Sequence, residues 1–132
     1  MPYVSPSARP QRAERVNLEE ITPVVLRAND GRRCAGTLRV ISVTGGLLAL
    51  SPPLDTGLAV KVMFLTEKGS VLGAAQMLSP VAWDRQPFRF VTICEQDRSR
   101  LYSTIQSKLA KIRRELEQRS QERAQMEKFR AW

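Results

Sequence analysis

The sequence contains no histidine, and it has only two cysteines and few aromatic residues. Without histidine there is no imidazole base, no Ser–His or Cys–His dyad and no histidine-ligated metal site. The cysteines, Cys34 and Cys94, are far apart and form no CxxC pair, so we expect no metal site. Both lie in apolar or strand-like segments, which predicts two buried, reduced thiols.

Long hydrophobic runs are also absent. The longest, such as Gly45–Leu50, are far too short to span a bilayer, and the N-terminal region lacks the apolar core of a signal peptide. We therefore expect a cytoplasmic protein without membrane insertion. No paired-carboxylate spacing, Walker-type glycine loop or nucleophile elbow occurs, and the chain is predicted to be a non-enzyme.

The composition fits one compact domain with an excess of positive charge. The chain has 132 residues, of which 42% are hydrophobic and 26% charged, and its formal net charge is +8. Its length allows one core with an appended helix. The charge favours an anionic partner, such as a nucleic acid, a nucleotide or an acidic protein face, or it serves as a soluble surface alone.

The chain divides by composition into a basic, proline-containing arm (1–20), a strand-rich middle (21–94) and a polar helical segment without glycine or proline (95–132). Turn signals such as Asp30-Gly31 separate short strands in the middle segment. The predicted strands are Ile21–Ala28, Arg33–Ser42, Leu47–Leu50, Ala59–Leu65, Val71–Leu78 and Phe88–Ile93. Six short strands favour a small antiparallel barrel or sandwich. Between the last two strands, Trp83 is expected to cover one end of the barrel.

The last segment predicts one long helix, with Asp97 as its N-cap and an end near residue 128. One face carries apolar residues spaced four and three apart, namely Leu101, Ile105, Leu109, Ile112 and Leu116. Further along, the same face becomes mainly arginine. The stripe either docks on the domain's own core or supports self-association, including a coiled-coil homo-oligomer through this helix.

The most informative stretch runs from Gly36 to Leu50, where two strands flank a polar turn and the pair Gly45-Gly46. Here the chain resembles the PilZ domain, a bacterial module that typically binds cyclic di-GMP. Ser42, Gly45 and Gly46 match the family's Asp/Asn-x-Ser-x-x-Gly motif. The resemblance implies a mainly β fold, a small six-stranded antiparallel PilZ-like β-barrel with a long C-terminal α-helix. It also implies cyclic di-GMP as the ligand, with no other cofactor.

Both PilZ motifs are altered in this chain. Val40 stands at the Asp/Asn position of the second motif. In the family, the side chain at this position is expected to hydrogen-bond a guanine edge. When Arg15 is aligned with the second arginine of the Arg-x-x-x-Arg motif, Gln11 stands in place of the first. Losing one such hydrogen bond costs about 1–3 kcal/mol, so we expect weakened binding.

The arm still offers three arginines spaced by three, which would share one edge of a polyproline II segment. Guanidinium groups can bind phosphates or stack on guanine. Alternatively, the arm has no role in ligand binding. The predicted ligand-binding residues are Arg9, Arg12, Arg15, Ser42, Gly45 and Gly46. Arg32, Arg33 and Arg39 either extend this basic face or form an ordinary charged surface.

Three functions follow from these features. The first is a cyclic di-GMP-binding regulatory module, and the second is a degenerate PilZ adaptor that binds an unidentified protein partner through its C-terminal helix. Nucleic-acid binding is the least favoured. The helix mixes acidic and basic residues, as in Arg113-Arg114-Glu115, and few aromatic residues are present to stack on bases.

Overall fold

A closed six-stranded antiparallel β-barrel followed by one long helix makes up the structure, a computed structural model that describes residues 14–130. The elements are β1 (Val16–Ala28), β2 (Arg33–Ser42), β3 (Gly45–Ala49), β4 (Ala59–Thr66), β5 (Gly69–Met77), β6 (Arg85–Ile93) and α1 (Glu95–Arg130). The strands neighbour one another in the order β1-β2-β3-β6-β5-β4, and β4 pairs with β1 to close the barrel. The predicted fold class is confirmed.

The barrel interior is filled by alternate residues of each strand, because successive side chains of a strand point to opposite faces. In β4, Val60, Val62 and Phe64 are buried, whereas Lys61 and Met63 are exposed. Matching alternation in β1 and β5 supplies the other core residues. The apolar alternation in the sequence therefore determines which face of each strand is buried.

Strand β1 begins at Val16, earlier than the predicted Ile21. Val16 is buried and pairs with Ile41 of β2, and Asn17 pairs with Val40. A register shift follows before Thr22. The irregularity interrupts the alternation of apolar and polar residues, so the sequence pattern does not reveal this part of the strand. The arginine arm therefore leads directly into a barrel strand.

The helix begins at Glu95, so the prediction that Asp97 is its N-cap is wrong. Asp97 lies in the first turn, where one carboxylate oxygen accepts a hydrogen bond from the backbone N–H of Leu72 at 3.0 Å. Its other oxygen pairs with Arg100 at 3.1 Å, and Arg100 also donates to the carbonyl of Ser70. These contacts fix the start of α1 against β5.

Only the first part of α1 packs on the barrel. Leu101 and Ile105 are buried in the core cluster, and Leu109 is partly buried against it. Further along the same stripe, Ile112 is 41% exposed and Leu116 is 59% exposed. From residue 110 to residue 128 every side chain is exposed. At 1.5 Å per residue, this exposed part of the helix is about 30 Å long, and its first turns still border the start of β1.

Trp83 does not cover the barrel end, because its side chain is 75% exposed on the connection between β5 and β6. The expectation of two buried thiols is also wrong. Both cysteines are free, but Cys34 is half-buried and Cys94 is exposed. Desolvation raises the pKa of Cys34, and the nearby Arg32 guanidinium opposes this rise only in part.

The two thiols are expected to react at different rates with a maleimide near pH 8, because a thiolate must be both formed and accessible. Cys94 should react in the fast phase. Cys34 should react slowly. Because its pKa lies above the ordinary thiol value, its reaction rate should continue to rise as the pH is raised. Mass spectrometry of Cys94→Ser should show the slow phase alone, and Cys34→Ser the fast phase alone. Equal rates for the two thiols would contradict this arrangement.

Candidate functional site

A cleft of about 350 Å³ lies where the start of β1 meets the β2–β3 turn and the β5–β6 connection. Arg15 stands at one side, directly before β1. The cleft is lined by Arg15, Val40, Ser42, Thr44, Gly45, Gly46, Leu47, Leu78, Val81 and Pro87. Its volume is at the lower end of the range for small-molecule pockets. The structure thus brings together four of the predicted site residues.

Ser42 shapes the turn at this cleft. Its side chain is buried, and its hydroxyl donates to the carbonyl of Gly45 at 3.2 Å. The same oxygen accepts from the backbone N–H of Thr44 at 3.3 Å and lies 3.0 Å from the Thr44 hydroxyl. Because these partners lie within the turn, Ser42 fixes the shape of the corner.

Gly45 and Gly46 allow three strands to approach closely. A Cβ on Gly45 would overlap the carbonyl oxygen of Phe88, and one on Gly46 would lie 2.5 Å from the carbonyl oxygen of Val40. The two glycines pair with Arg89 and Phe88 of β6. The fold therefore requires glycine at both positions, and both glycines line the cleft.

The other predicted site residues are distributed differently. Arg9 and Arg12 lie outside the described residues. Arg32 forms an ion pair with Asp30 at the β1–β2 turn, and the backbone N–H of Arg32, which bonds to the same carboxylate, lowers the pKa of Asp30. Arg33 begins β2, at the opposite end of that strand from Ser42. The β1–β2 turn therefore does not extend the basic side of the cleft.

Sequence reasoning missed the far wall of the cleft, which is formed by Leu78, Val81 and Pro87. These residues reach the β2–β3 turn because β3 pairs with β6, with Leu47 opposite Pro87. No local signal reveals this pairing, since a long stretch of chain separates the two strands.

Gln86 anchors this wall from inside the barrel and was also missed. Its side chain is fully buried. Its amide oxygen accepts from the backbone N–H of Leu54 at 2.8 Å, and its amide nitrogen donates to the carbonyls of Leu54 and Leu78. A single side chain thus joins the proline-containing loop after β3 to the cleft residue Leu78.

A second, shallower groove lies on the other side of the β2–β3 turn, between the end of β6 and the first turns of α1. It is larger, about 900 Å³, and Arg98 and Tyr102 lie along it. Among residues 14–130, only Thr44 borders both hollows. Of the predicted ligand residues that the structure describes, none lines the groove and four line the smaller cleft, which is therefore the better candidate.

Two further observations concern residues 14–130. No three cysteine or acidic side chains in this range are arranged to hold a metal ion. No helix in the same range combines the length and the hydrophobicity needed to cross a membrane.

Comparison with known proteins identifies the fold. No protein-family model matches the sequence, and no curated protein is significantly similar to it. Solved structures are similar: the PilZ domain with c-di-GMP of YcgR from Escherichia coli has 18% sequence identity and a TM-score of 0.61 over 83% of this chain and 98% of that chain. The PilZ domain of CeSA from a cellulose-synthesizing bacterium has 14% identity and a TM-score of 0.57 over 72% and 97%.

The chain folds as a PilZ-like domain. The longer YcgR chain from Escherichia coli, solved in complex with c-di-GMP, matches with a TM-score of 0.69 and 18% identity over 83% of this chain. This chain spans only half of that YcgR chain. The PilZ-like barrel is therefore the shared part.

The PilZ-like cleft contains the altered motif position as well as the matching ones. Val40 is half-buried and lines the cleft beside Ser42, where a carboxylate or an amide would offer hydrogen bonds. Arg15 is exposed and lines the same cleft, directly before the Val16–Ile41 pair. The cleft consequently combines one cationic side chain with apolar ones.

Gln86→Met is expected to destabilise the barrel by about 2–4 kcal/mol. The change preserves the side-chain volume, but it leaves the N–H and carbonyl of Leu54 and the carbonyl of Leu78 without their hydrogen-bond partner. Urea unfolding followed by circular dichroism measures the change. Gln76→Met is the matched control, since the half-buried Gln76 accepts its hydrogen bond from the exposed Arg89 side chain, and the change should cost below about 0.5 kcal/mol. Equal costs for the two variants would show that the Gln86 bonds contribute little.

Proposed function

We propose that this protein is a non-enzymatic regulatory module that binds cyclic di-GMP in the cleft between Arg15 and the Ser42–Gly46 turn. Arginines of the N-terminal arm would neutralise the phosphates, and the turn would form the opposite surface. Ordering of the arm over the ligand would change the surface offered to a partner, which is how a module without catalysis transmits a signal.

One observation carries the proposal: Arg15 lines the same cleft as Ser42, Gly45 and Gly46. The sequence separates these residues, and the pairing of Val16 with Ile41 brings the β1 end to the β2 end. An arginine beside an accessible backbone turn suits a phosphate-bearing ligand, because guanidinium groups bind phosphate with paired hydrogen bonds.

The other two arm arginines are within chain reach of the cleft. An extended chain spans at most about 3.6 Å per residue, so the Cα atom of Arg12 lies within about 11 Å of that of Arg15. The same limit for Arg9 is about 22 Å. Within these limits, both arginines can reach a ligand in the cleft that carries two phosphates.

Val40 sets the expected strength of binding. Its side chain offers packing to a guanine edge but no hydrogen bond. The hydroxyl of Ser42 is already bonded to Thr44 and Gly45. Affinity should therefore depend mainly on the arginines, and it should fall as salt concentration rises.

Isothermal titration with cyclic di-GMP tests the proposal directly. Arg15→Ala should weaken binding at least tenfold, since a charge-assisted bond is worth about 1.5–3 kcal/mol. Val40→Asn should strengthen binding by about tenfold or more, because it restores a donor and an acceptor at the cleft wall.

Arg113→Ala is the matched control, because it removes the same charge from the exposed part of α1 and should leave affinity unchanged. Circular dichroism should confirm that each variant is folded. Absence of heat at high micromolar ligand, for both the natural chain and Val40→Asn, would refute nucleotide binding.

A second candidate function is an adaptor that acts through α1 without binding a nucleotide. The observation that favours it is the exposed continuation of the apolar stripe, where Ile112 is 41% and Leu116 is 59% exposed. In this alternative the stripe pairs with a second copy or with a helix of another protein.

Light scattering of the full chain and of Leu116→Ser measures the contribution of the stripe to self-association. If α1 pairs with itself, the natural chain should show a concentration-dependent increase in mass that Leu116→Ser reduces, because a serine in the seam removes apolar burial. Ala110→Ser, a matched change on an exposed position, should behave like the natural chain. A monomer at every concentration would exclude self-association.

A further inference from the structure

A row of three basic side chains crosses the outside of the barrel, at the end of β2 opposite the cleft. Arg27 of β1 pairs with Arg33 of β2 on one side and with Lys61 of β4 on the other. All three side chains are exposed. Directly paired residues of neighbouring antiparallel strands point to the same face, so three like charges lie side by side.

This basic row lacks charge compensation. Within residues 14–130, none of the three cations lies within 4.0 Å of a carboxylate oxygen. The nearby Asp30 is already paired with Arg32. Like charges placed directly opposite one another destabilise a sheet, so the row opposes folding and is not explained by barrel stability.

An apolar row lies next to the basic row on the same face. Val25 of β1 pairs with Ala35 of β2 and with Met63 of β4, and Met63 pairs with Leu72 of β5. The exposed fractions of Val25, Met63 and Leu72 are 43%, 44% and 47%. Four neighbouring strands therefore present one continuous apolar band.

We propose that these two rows together dock an acidic amphipathic segment of another protein. Carboxylates of the partner would compensate Arg27, Arg33 and Lys61, and its apolar side chains would cover the Val25–Met63–Leu72 row. A patch in which an apolar band borders uncompensated charge is typical of a protein interface. The charge arrangement would set the orientation and the rate of association.

The chemistry of the face favours a protein over a membrane or a nucleic acid. The apolar row contains no aromatic side chain, whereas surfaces that enter a bilayer usually carry tryptophan or phenylalanine residues. Bound nucleic acid would contact the basic row but leave the apolar row uncovered. An acidic amphipathic segment matches both rows at once.

The docking face is separate from the nucleotide cleft. Arg33 and Ser42 occupy the two ends of the 10-residue strand β2, about 30 Å apart at 3.3 Å per residue. Binding at this face is therefore independent of the function proposed above, and Arg15→Ala should leave it unchanged.

The probe is a synthetic helical peptide that carries a leucine stripe beside a glutamate stripe, and the control peptide has glutamine in place of glutamate. Fluorescence anisotropy with the full chain should show binding of the glutamate peptide that weakens with salt. The pair Arg27→Gln and Lys61→Gln should weaken binding on the order of tenfold. Met63→Thr should also weaken it, by loss of apolar contact.

The pair Lys111→Gln and Arg113→Gln on α1 is the matched control, because it removes one lysine and one arginine from exposed positions. It should leave peptide affinity within about twofold of the natural chain. The Arg27 and Lys61 changes should also leave the urea midpoint unchanged or raise it, since they relieve like-charge repulsion.

Three results would overturn the proposal. The first is equal loss of affinity in both double variants, which would indicate a general charge effect. The second is equal binding of the glutamine peptide. The third is binding of phosphatidylglycerol vesicles or of RNA through Arg27 and Lys61 while the glutamate peptide does not bind.

Discussion

The close approach of β2, β3 and β6 at Gly45 and Gly46 is the constraint on which the rest of the structure depends. Any side chain at Gly46 would meet the Val40 carbonyl oxygen on one strand and the Phe88 ring on the other. Because both positions lack a Cβ, β3 fits between its neighbours and the barrel closes. Both glycines also line the cleft beside Arg15, so closure of the barrel and formation of the cleft depend on the same close approach.

The cleft combines a rigid side with a side that depends on the chain before β1. The rigid side consists of the Ser42 turn and the wall attached to Gln86, whose hydrogen bonds are internal to the protein. The charge described in the cleft comes from Arg15, directly before β1. In the proposed function, the arginines that precede Arg15 would add electrostatic attraction, and their ordering over the ligand would couple binding to regulation.

The three surfaces of the molecule lie in different places. The cleft is at one end of β2, the row of basic residues is at the other end, and the exposed part of α1 forms a third surface. The contacts of Asp97 with Leu72 and Arg100 fix the start of the helix on β5. A small barrel can thus separate the proposed ligand site from the two surfaces proposed for protein partners.

The sequence predicted the buried face of the strands and the long helix, because periodicity is a local property. It placed Gly45 and Gly46 before β3, but both belong to that strand and the turn is formed by Val43 and Thr44. It did not reveal the start of β1 at Val16, since an irregular register breaks the pattern there. Tertiary structure alone decided that Arg15 meets Ser42, that Pro87 closes the cleft, and that Arg27 stands between two other cations. Each of these depends on pairing between strands, and the partner of a strand is chosen by closure of the whole barrel.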